Sequence, residues 1–172
     1  MKQYTEPIRS GSLVLRLVTD ADLAMTRQWR NRDEARVWFK NSNKLTETQH
    51  QDWFAKYLTN DNDYFFIVEA DGVPVGQASV YEINWSKGTA EVGRFLAAPD
   101  FAGRGYLTKA CQVLLSFCRT TLGLDSVYLE VFETNEKAIR LYQRCGFFEE
   151  RRYDGLIRMG MRWPESGFGG RA

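Results

Sequence analysis

The chain has 172 residues, 44% of them hydrophobic, 26% charged and 14% aromatic, which suits one folded domain with a sizeable core. Its 23 Lys and Arg against 22 Asp and Glu leave a formal charge of +1, which excludes the electrostatic footprint of a nucleic-acid or acidic-membrane binder. Cys111, Cys118 and Cys145 have no C-x-x-C spacing and His50 stands alone among histidines, so neither a disulfide framework nor a metal site is expected.

The start, MKQYTEPIRS, lacks the apolar core of a signal peptide, so a cytoplasmic protein is expected. Residues 12–18 (SLVLRLV) alternate as a strand, and Thr19-Asp20 opens a helix toward Trp29. Thr46 to Gln49 have capping-box spacing, and the helix that follows carries His50, Trp53, Phe54 and Tyr57 on one face. Runs 63–70, 73–83 and 89–98 read as an antiparallel meander, the first two joined by the Asp71-Gly72 turn signal and the last two by a turn ending at Lys87-Gly88.

From Tyr106, apolar residues at Leu107, Ala110, Cys111, Leu114, Leu115, Cys118 and Leu122 recur at helical period until Gly123. Val127, Leu129 and Val131 then alternate with polar or aromatic neighbours as a strand, and Asn135 caps a helix that ends at Gly146. Runs 147–153 and 156–163 flank Asp154-Gly155 as a closing hairpin. Residues 1–164 read as one domain and 165–172 (ESGFGGRA) as a flexible tail.

Gly103-Arg104-Gly105 at the start of the long helix is a poor choice for helix formation but a good one for an anion, because a helix N-terminus presents unpaired N–H groups and partial positive charge. Glycines there leave room for a phosphate, and Arg104 adds a charge suited to one. There is no G-x-x-x-x-G-K-[ST], and residue 108 is Thr where G-x-G-x-x-G needs its last glycine, which argues against a P-loop NTPase or a dinucleotide-binding dehydrogenase.

The same chain has N-x-x-A-x-x-L-Y-x-x-x-G-F over Asn135 to Phe147, after a strand and downstream of the glycine turn. Together these motifs resemble the GCN5-related N-acetyltransferase (GNAT) family. The resemblance implies an α/β (α+β) fold whose mixed, mostly antiparallel sheet has about seven strands, splayed between the fourth and fifth, with about four helices. It implies acetyl-CoA as donor, no metal, and direct attack of a primary amine on the thioester. Ala102 and Leu107 depart from the family, which has Arg or Gln and Gly or Ala there; the backbone amides that matter survive both changes.

By resemblance, the pyrophosphate is held around Ala102, Gly103, Arg104, Gly105, Tyr106, Leu107 and Thr108. The pantetheine is bordered by Leu96, Ala97 and Ala98, with an amide near Leu96 for the oxyanion, and Asn135, Lys137 and Tyr142 complete the donor site. Tyr142 is the expected general acid. An alkylamine is mostly protonated at neutral pH, so a carboxylate base is needed; Glu91 is preferred and Glu130, on the adjoining strand, is the alternative or a substrate contact.

Trp29, Arg30, Asn31, Arg36, His50 and Glu130 are the expected acceptor residues. The first five resemble the branch that acetylates nucleotide-linked amino sugars, where arginines and aromatic faces suit a diphosphate, a sugar and a base. An N-terminal acetyltransferase of the ribosomal-protein type is the competing reading, and a CoA-binding regulatory module that has lost the reaction is another. Family members often dimerise, so a homodimer is expected.

Overall fold

The alternation in the sequence builds one eight-stranded sheet in the order β1-β2-β3-β4-β5-β6-β8-β7. Its strands are β1 (Ile8–Ser10), β2 (Leu13–Leu17), β3 (Tyr64–Ala70), β4 (Val73–Asn84), β5 (Thr89–Ala97), β6 (Ser126–Phe132), β7 (Phe148–Tyr153) and β8 (Leu156–Arg162). The helices are α1 (Leu23–Asn31), α2 (Asp33–Arg36), α3 (Glu47–Leu58), α4 (Tyr106–Thr120) and α5 (Glu136–Arg144). This computed structural model describes residue 2 and residues 6–164; the tail expected at 165–172 lies outside them. Among the described residues, no helix is long and apolar enough to cross a membrane.

The expected seven strands become eight because Ile8–Ser10 folds back on β2 through Gly11, whose φ of 59° suits glycine. The extra helix is the single turn α2, which starts after an extended Arg32. Every strand pair is antiparallel except β5–β6, which is parallel.

Strand parity divides the molecule into two faces. Tyr64, Phe66 and Val68 of β3 and Val127, Leu129 and Val131 of β6 join Leu114 and Cys118 of α4 in the main core, with α5 packed against its edge. Phe65 and Ile67 point the other way and join Val18, Tyr57 and Trp53 beneath α3. The capping box forms as expected: Thr46 Oγ1 accepts from Gln49 N at 3.1 Å and Gln49 Oε1 accepts from Thr46 N at 2.9 Å. Near the N-terminus, Arg16 grips both oxygens of Asp22 at 2.8 Å, tying β2 to the start of α1.

Two features shape the functional face. β5 and β6 pair only over Thr89–Glu91 and Ser126–Tyr128, so beyond that point they diverge. The expected splay is therefore present, between the fifth and sixth strands in the full count. Bulges also interrupt β4–β5, once where Gln77 and Ser79 oppose Leu96 and Gly93, and once between Tyr81 and Asn84. The residues concerned, Arg94 and Glu82, adopt φ of 54° and 50°.

Candidate active site

The glycine turn has the expected place and a sharper reason. Gly103 and Gly105 have φ of 76° and 80°, a region that costs other residues free energy. A Cβ at either position would meet no protein atom within 4 Å, so conformation, rather than crowding by the protein, requires them. Gly105 is the N-cap of α4 and offers no side-chain cap, leaving the first-turn N–H groups of Tyr106, Leu107 and Thr108 for an anion. Arg104 lies over the Phe101 ring at 5.2 Å. Leu107 fits where the family has a small residue because its Cδ2 sits beside Gly76, 3.4 Å from where a Cβ would be.

The diverging edge of β5 differs from expectation in detail. Ala98 N donates to Val75 O at 2.9 Å, so this amide is already used. In an antiparallel ladder, groups two residues apart point the same way, so the Leu96 N–H also faces β4 and the open edge belongs to Ala97. An oxyanion donor on this open edge would therefore be the Ala97 amide rather than that of Leu96. The Ala97 carbonyl accepts Arg32 Nη2 at 2.9 Å, placing beside the splay an arginine that the sequence reading passed over.

Strand parity alone would put Glu91, Gly93, Phe95 and Ala97 on one face, and the bulge at Arg94 breaks that alternation. The extra residue turns Arg94 toward α3, its guanidinium 4.1 Å from the Tyr81 ring centroid. Phe95 turns to the main-core side, where its ring lies 5.6 Å from that of Tyr142. Gln77 Nε2 holds the Arg94 carbonyl at 3.1 Å. Tyr142, on the α5 side of the gap, also packs on Phe147 at 6.0 Å, and burial drives its phenol well above the ordinary range.

Glu91 is half-buried on the α3 side, and Tyr81 Oη donates to its Oε1 at 3.1 Å. Burial raises the Glu91 carboxyl above its ordinary value, and the Tyr81 hydrogen bond and the Lys40 charge partly offset this. A Cβ on Gly93 would come within 2.7 Å of Tyr81 Oη, so Gly93 keeps the tyrosine in place. Tyr81 raises no signal from residue type alone, but "GQASVYE" alternates Gln77, Ser79 and Tyr81 with small or apolar residues. Polar residues at strand period on an inward face are the mark that was available.

Glu130 stands across the splay with Lys40 Nζ at 3.1 Å and the Tyr153 hydroxyl as donor. Beyond the bulge, α1, α3 and the sheet enclose a cavity of about 200 Å³ lined by Arg30, His50, Trp53, Phe65, Gln77 and Arg94, among others. His50 Nε2 is 2.9 Å from Thr26 Oγ1, and its ring stacks on Trp53 at 5.2 Å. Burial, with Arg27 nearby, lowers its pKa and favours neutral imidazole.

The remaining expected acceptor residues lie elsewhere. Trp29 is buried at 5% exposure and does not line the cavity. Asn31 exchanges two 2.8 Å hydrogen bonds with the Leu45 backbone. Arg36 binds Asp33 and the Ser42 carbonyl, both at 2.9 Å. Asn31 and Arg36 thus hold the α2–α3 loop rather than reach into the groove. Asn135 caps α5 through Ala138 N at 3.3 Å, and Lys137 is exposed on its first turn.

The donor fits this framework: an uncapped helix start for a pyrophosphate, an unpaired strand edge for a pantetheine, and a phenol and a carboxylate on opposite sides of the gap. Residues 12–148 match the family model described as "Acetyltransferase (GNAT) domain". The chain is 31% identical to the spermidine N(1)-acetyltransferase of Escherichia coli K12 over 81% of its length and 74% of the relative. It is 26% identical to an aminoglycoside N(6')-acetyltransferase of Klebsiella pneumoniae over 80% and 75% of the two chains. The crystal structure of spermidine N-acetyltransferase from Vibrio cholerae with CoA and spermine superposes with a TM-score of 0.82 at 25% identity, covering 89% of this chain and 96% of that one.

Proposed function

The chain belongs to the GNAT acetyltransferase family, and within that family we propose that its acceptor is a primary amine on a small molecule whose remainder is neutral or anionic. It is an acetyl-CoA-dependent N-acetyltransferase. In the proposed reaction the acceptor amine loses a proton to Glu91, directly or through water, and attacks the thioester carbonyl. Tyr142 gives its proton to the departing thiolate, and the Ala97 amide is placed for the oxyanion.

The observation that carries the acceptor class is how the charges are paired. Asp63 is held by Arg94 at 2.8 Å, Glu130 by Lys40 at 3.1 Å and Glu150 by Arg158 at 3.1 Å. Among these carboxylates and Glu82 and Glu91, only the last two have no basic partner within salt-bridge distance among the described residues, and Glu82 is exposed. Arg30, in contrast, lines the cavity without a carboxylate partner among the described residues. A distal ammonium would meet a guanidinium there; a phosphate, hydroxyl or carbonyl would meet a donor. A nucleotide-linked amino sugar is a molecule of this kind.

The relatives named above act on spermidine and aminoglycosides, both polycations. Glu82, Glu91 and Glu130 around the tyrosines Tyr81, Tyr128 and Tyr153 are the feature that supports a polyamine as a second reading. Their fields reach one another, since Glu82 and Glu130 both help raise the Glu91 carboxyl.

Side-by-side kcat/KM values for spermidine, spermine, an aminoglycoside, UDP- and dTDP-linked amino sugars and basic N-terminal peptides, followed by release of CoA thiol, test the proposal. At least a hundredfold preference for a nucleotide-linked amine is expected. Preference for polyamines would establish the second reading, peptides alone would indicate N-terminal acetylation, and donor binding without transfer would indicate a regulatory module.

The same proposal takes residues 1–164 as one acetyltransferase domain and the three free cysteines as suited to a reducing cytoplasm. It includes association into a homodimer, supported by the neighbouring exposed side chains of Val37 and Trp38. Light scattering should then give a mass of twice 19.9 kDa.

A further inference from the structure

The stretch from Arg32, just before α2, to Lys40, beyond it, touches both of the diverging strands. Arg32 donates Nη2 to the Ala97 carbonyl of β5 at 2.9 Å, and Lys40 Nζ meets Glu130 Oε2 of β6 at 3.1 Å. One short segment thus holds both strands where they no longer hold each other. The register of β6 with β8 is unbroken, and Val127, Leu129 and Val131 enter the main core. Tyr128 and Glu130 therefore lie on the other face, that of Glu91.

The two members of the Lys40–Glu130 pair are unequal. The Lys40 side chain is 59% exposed and that of Glu130 14%. The carboxylate is fixed, because the Tyr153 hydroxyl donates to the same oxygen that Lys40 contacts. Burial opposes its charge, but the Tyr153 and Lys40 contacts outweigh burial and hold the carboxyl below its ordinary value. The ammonium ends a flexible, exposed stem, and an ion pair with such a partner is weak and easily exchanged. Arg158, whose charge also reaches Glu130, is committed to Glu150 and to the Tyr128 ring. Among the described residues, the replaceable partner of Glu130 is therefore Lys40, a primary alkylammonium like those of a polyamine. Its charge also acts on Glu91, the proposed base.

We infer that Lys40 is a specificity-determining residue, whose ammonium occupies on Glu130 the place that a second ammonium of an acceptor would take. Tethering gives the Lys40 group an effective concentration that a free amine must exceed, so a second positive charge on the acceptor gains little. The inference rests on the reading of this groove as the site of an acceptor whose remainder is neutral or anionic. It deepens that reading by naming a residue that enforces the choice.

Calorimetric titration of the CoA-bound protein with α,ω-diamines of increasing length, each against the monoamine of equal length, tests it without requiring turnover. In the wild-type protein the second ammonium should change affinity by less than about threefold at every length. In Lys40→Met, which removes the charge and keeps most of the stem, a diamine long enough to reach Glu130 should bind at least about fivefold more tightly than its monoamine. Lys40→Arg should keep the wild-type ratio, and adding Glu130→Gln to Lys40→Met should restore it, with CoA affinity unchanged throughout.

A wild-type protein that already prefers a diamine by about fivefold overturns the inference, and needs no variant to fold. So does a folded, CoA-binding Lys40→Met protein with no diamine preference, whether or not either amine binds. A preference that survives the added Glu130→Gln does the same. A gain in Lys40→Met combined with acetyl transfer confined to polyamines would keep the role of Lys40 and refute only the acceptor class, so the two failures remain distinct.

Discussion

Tyr142 and Glu91, the proposed acid and base, lie on opposite sides of the sheet beside the β5–β6 gap, and burial acts on each in a different sense. Burial keeps the Tyr142 phenol protonated, as an acid must be before it donates. Tyr142→Phe should lower kcat at least tenfold with acetyl-CoA affinity little changed, measured by steady-state rates and calorimetry; near-normal turnover would place the acid elsewhere. Burial raises the Glu91 carboxyl, while the Tyr81 hydrogen bond favours its ionised form. A base works only when deprotonated, so activity should fall as pH drops through the Glu91 titration. Glu91→Gln should abolish that acid limb of the kcat/KM profile. Tyr81→Phe should move it to higher pH, because the bond that stabilised the charged form is gone. An unmoved limb in Tyr81→Phe would show that the hydroxyl does not govern Glu91.

At the scale of elements, the glycine turn and the bulge at Arg94 show what a sequence does and does not disclose. The turn was legible because Gly103 and Gly105 are poor helix residues placed where a helix begins, and their positive φ accounts for both. Gly105→Ala should cost roughly 1–2 kcal/mol of strain at the left-handed position. If part of that cost falls on the bound conformation, KM for acetyl-CoA should rise several-fold with kcat nearly constant; an unchanged KM would detach the turn from the donor. The bulge was not legible, because Arg94 is a non-glycine residue at φ 54° held by Gln77, Asp63 and the Tyr81 ring. Those contacts come from β4 and from Asp63 just before β3, and period-two counting through Gly93-Arg94-Phe95 cannot register an inserted residue. Everything that depended on parity beyond it, including the side on which Phe95 lies and the edge amide at Ala97, had to come from the fold. Asn31 and Arg36 show the same limit at two helix ends: polar residues that resembled ligand contacts hold the backbone of the loop before α3.

For the molecule as a whole, the sheet is two blocks, β1 to β5 and β6 to β8, hydrogen-bonded to each other only over Thr89–Glu91 and Ser126–Tyr128. Beyond that seam the donor would supply contacts where a ninth strand would otherwise lie, so the coenzyme would serve as a building material as well as a reagent. Saturation at about a hundred times Kd adds about 2.7 kcal/mol to folding stability, or a rise in Tm of roughly 5–10 °C for a chain of this size. A Tm insensitive to CoA would mean that the seam needs no such support. Where the rise holds, chain survival is coupled to the supply of coenzyme, acetylated or free. In a cell short of CoA the enzyme would open more often and meet proteases sooner, so scarcity of the coenzyme would lower both its reaction rate and its abundance.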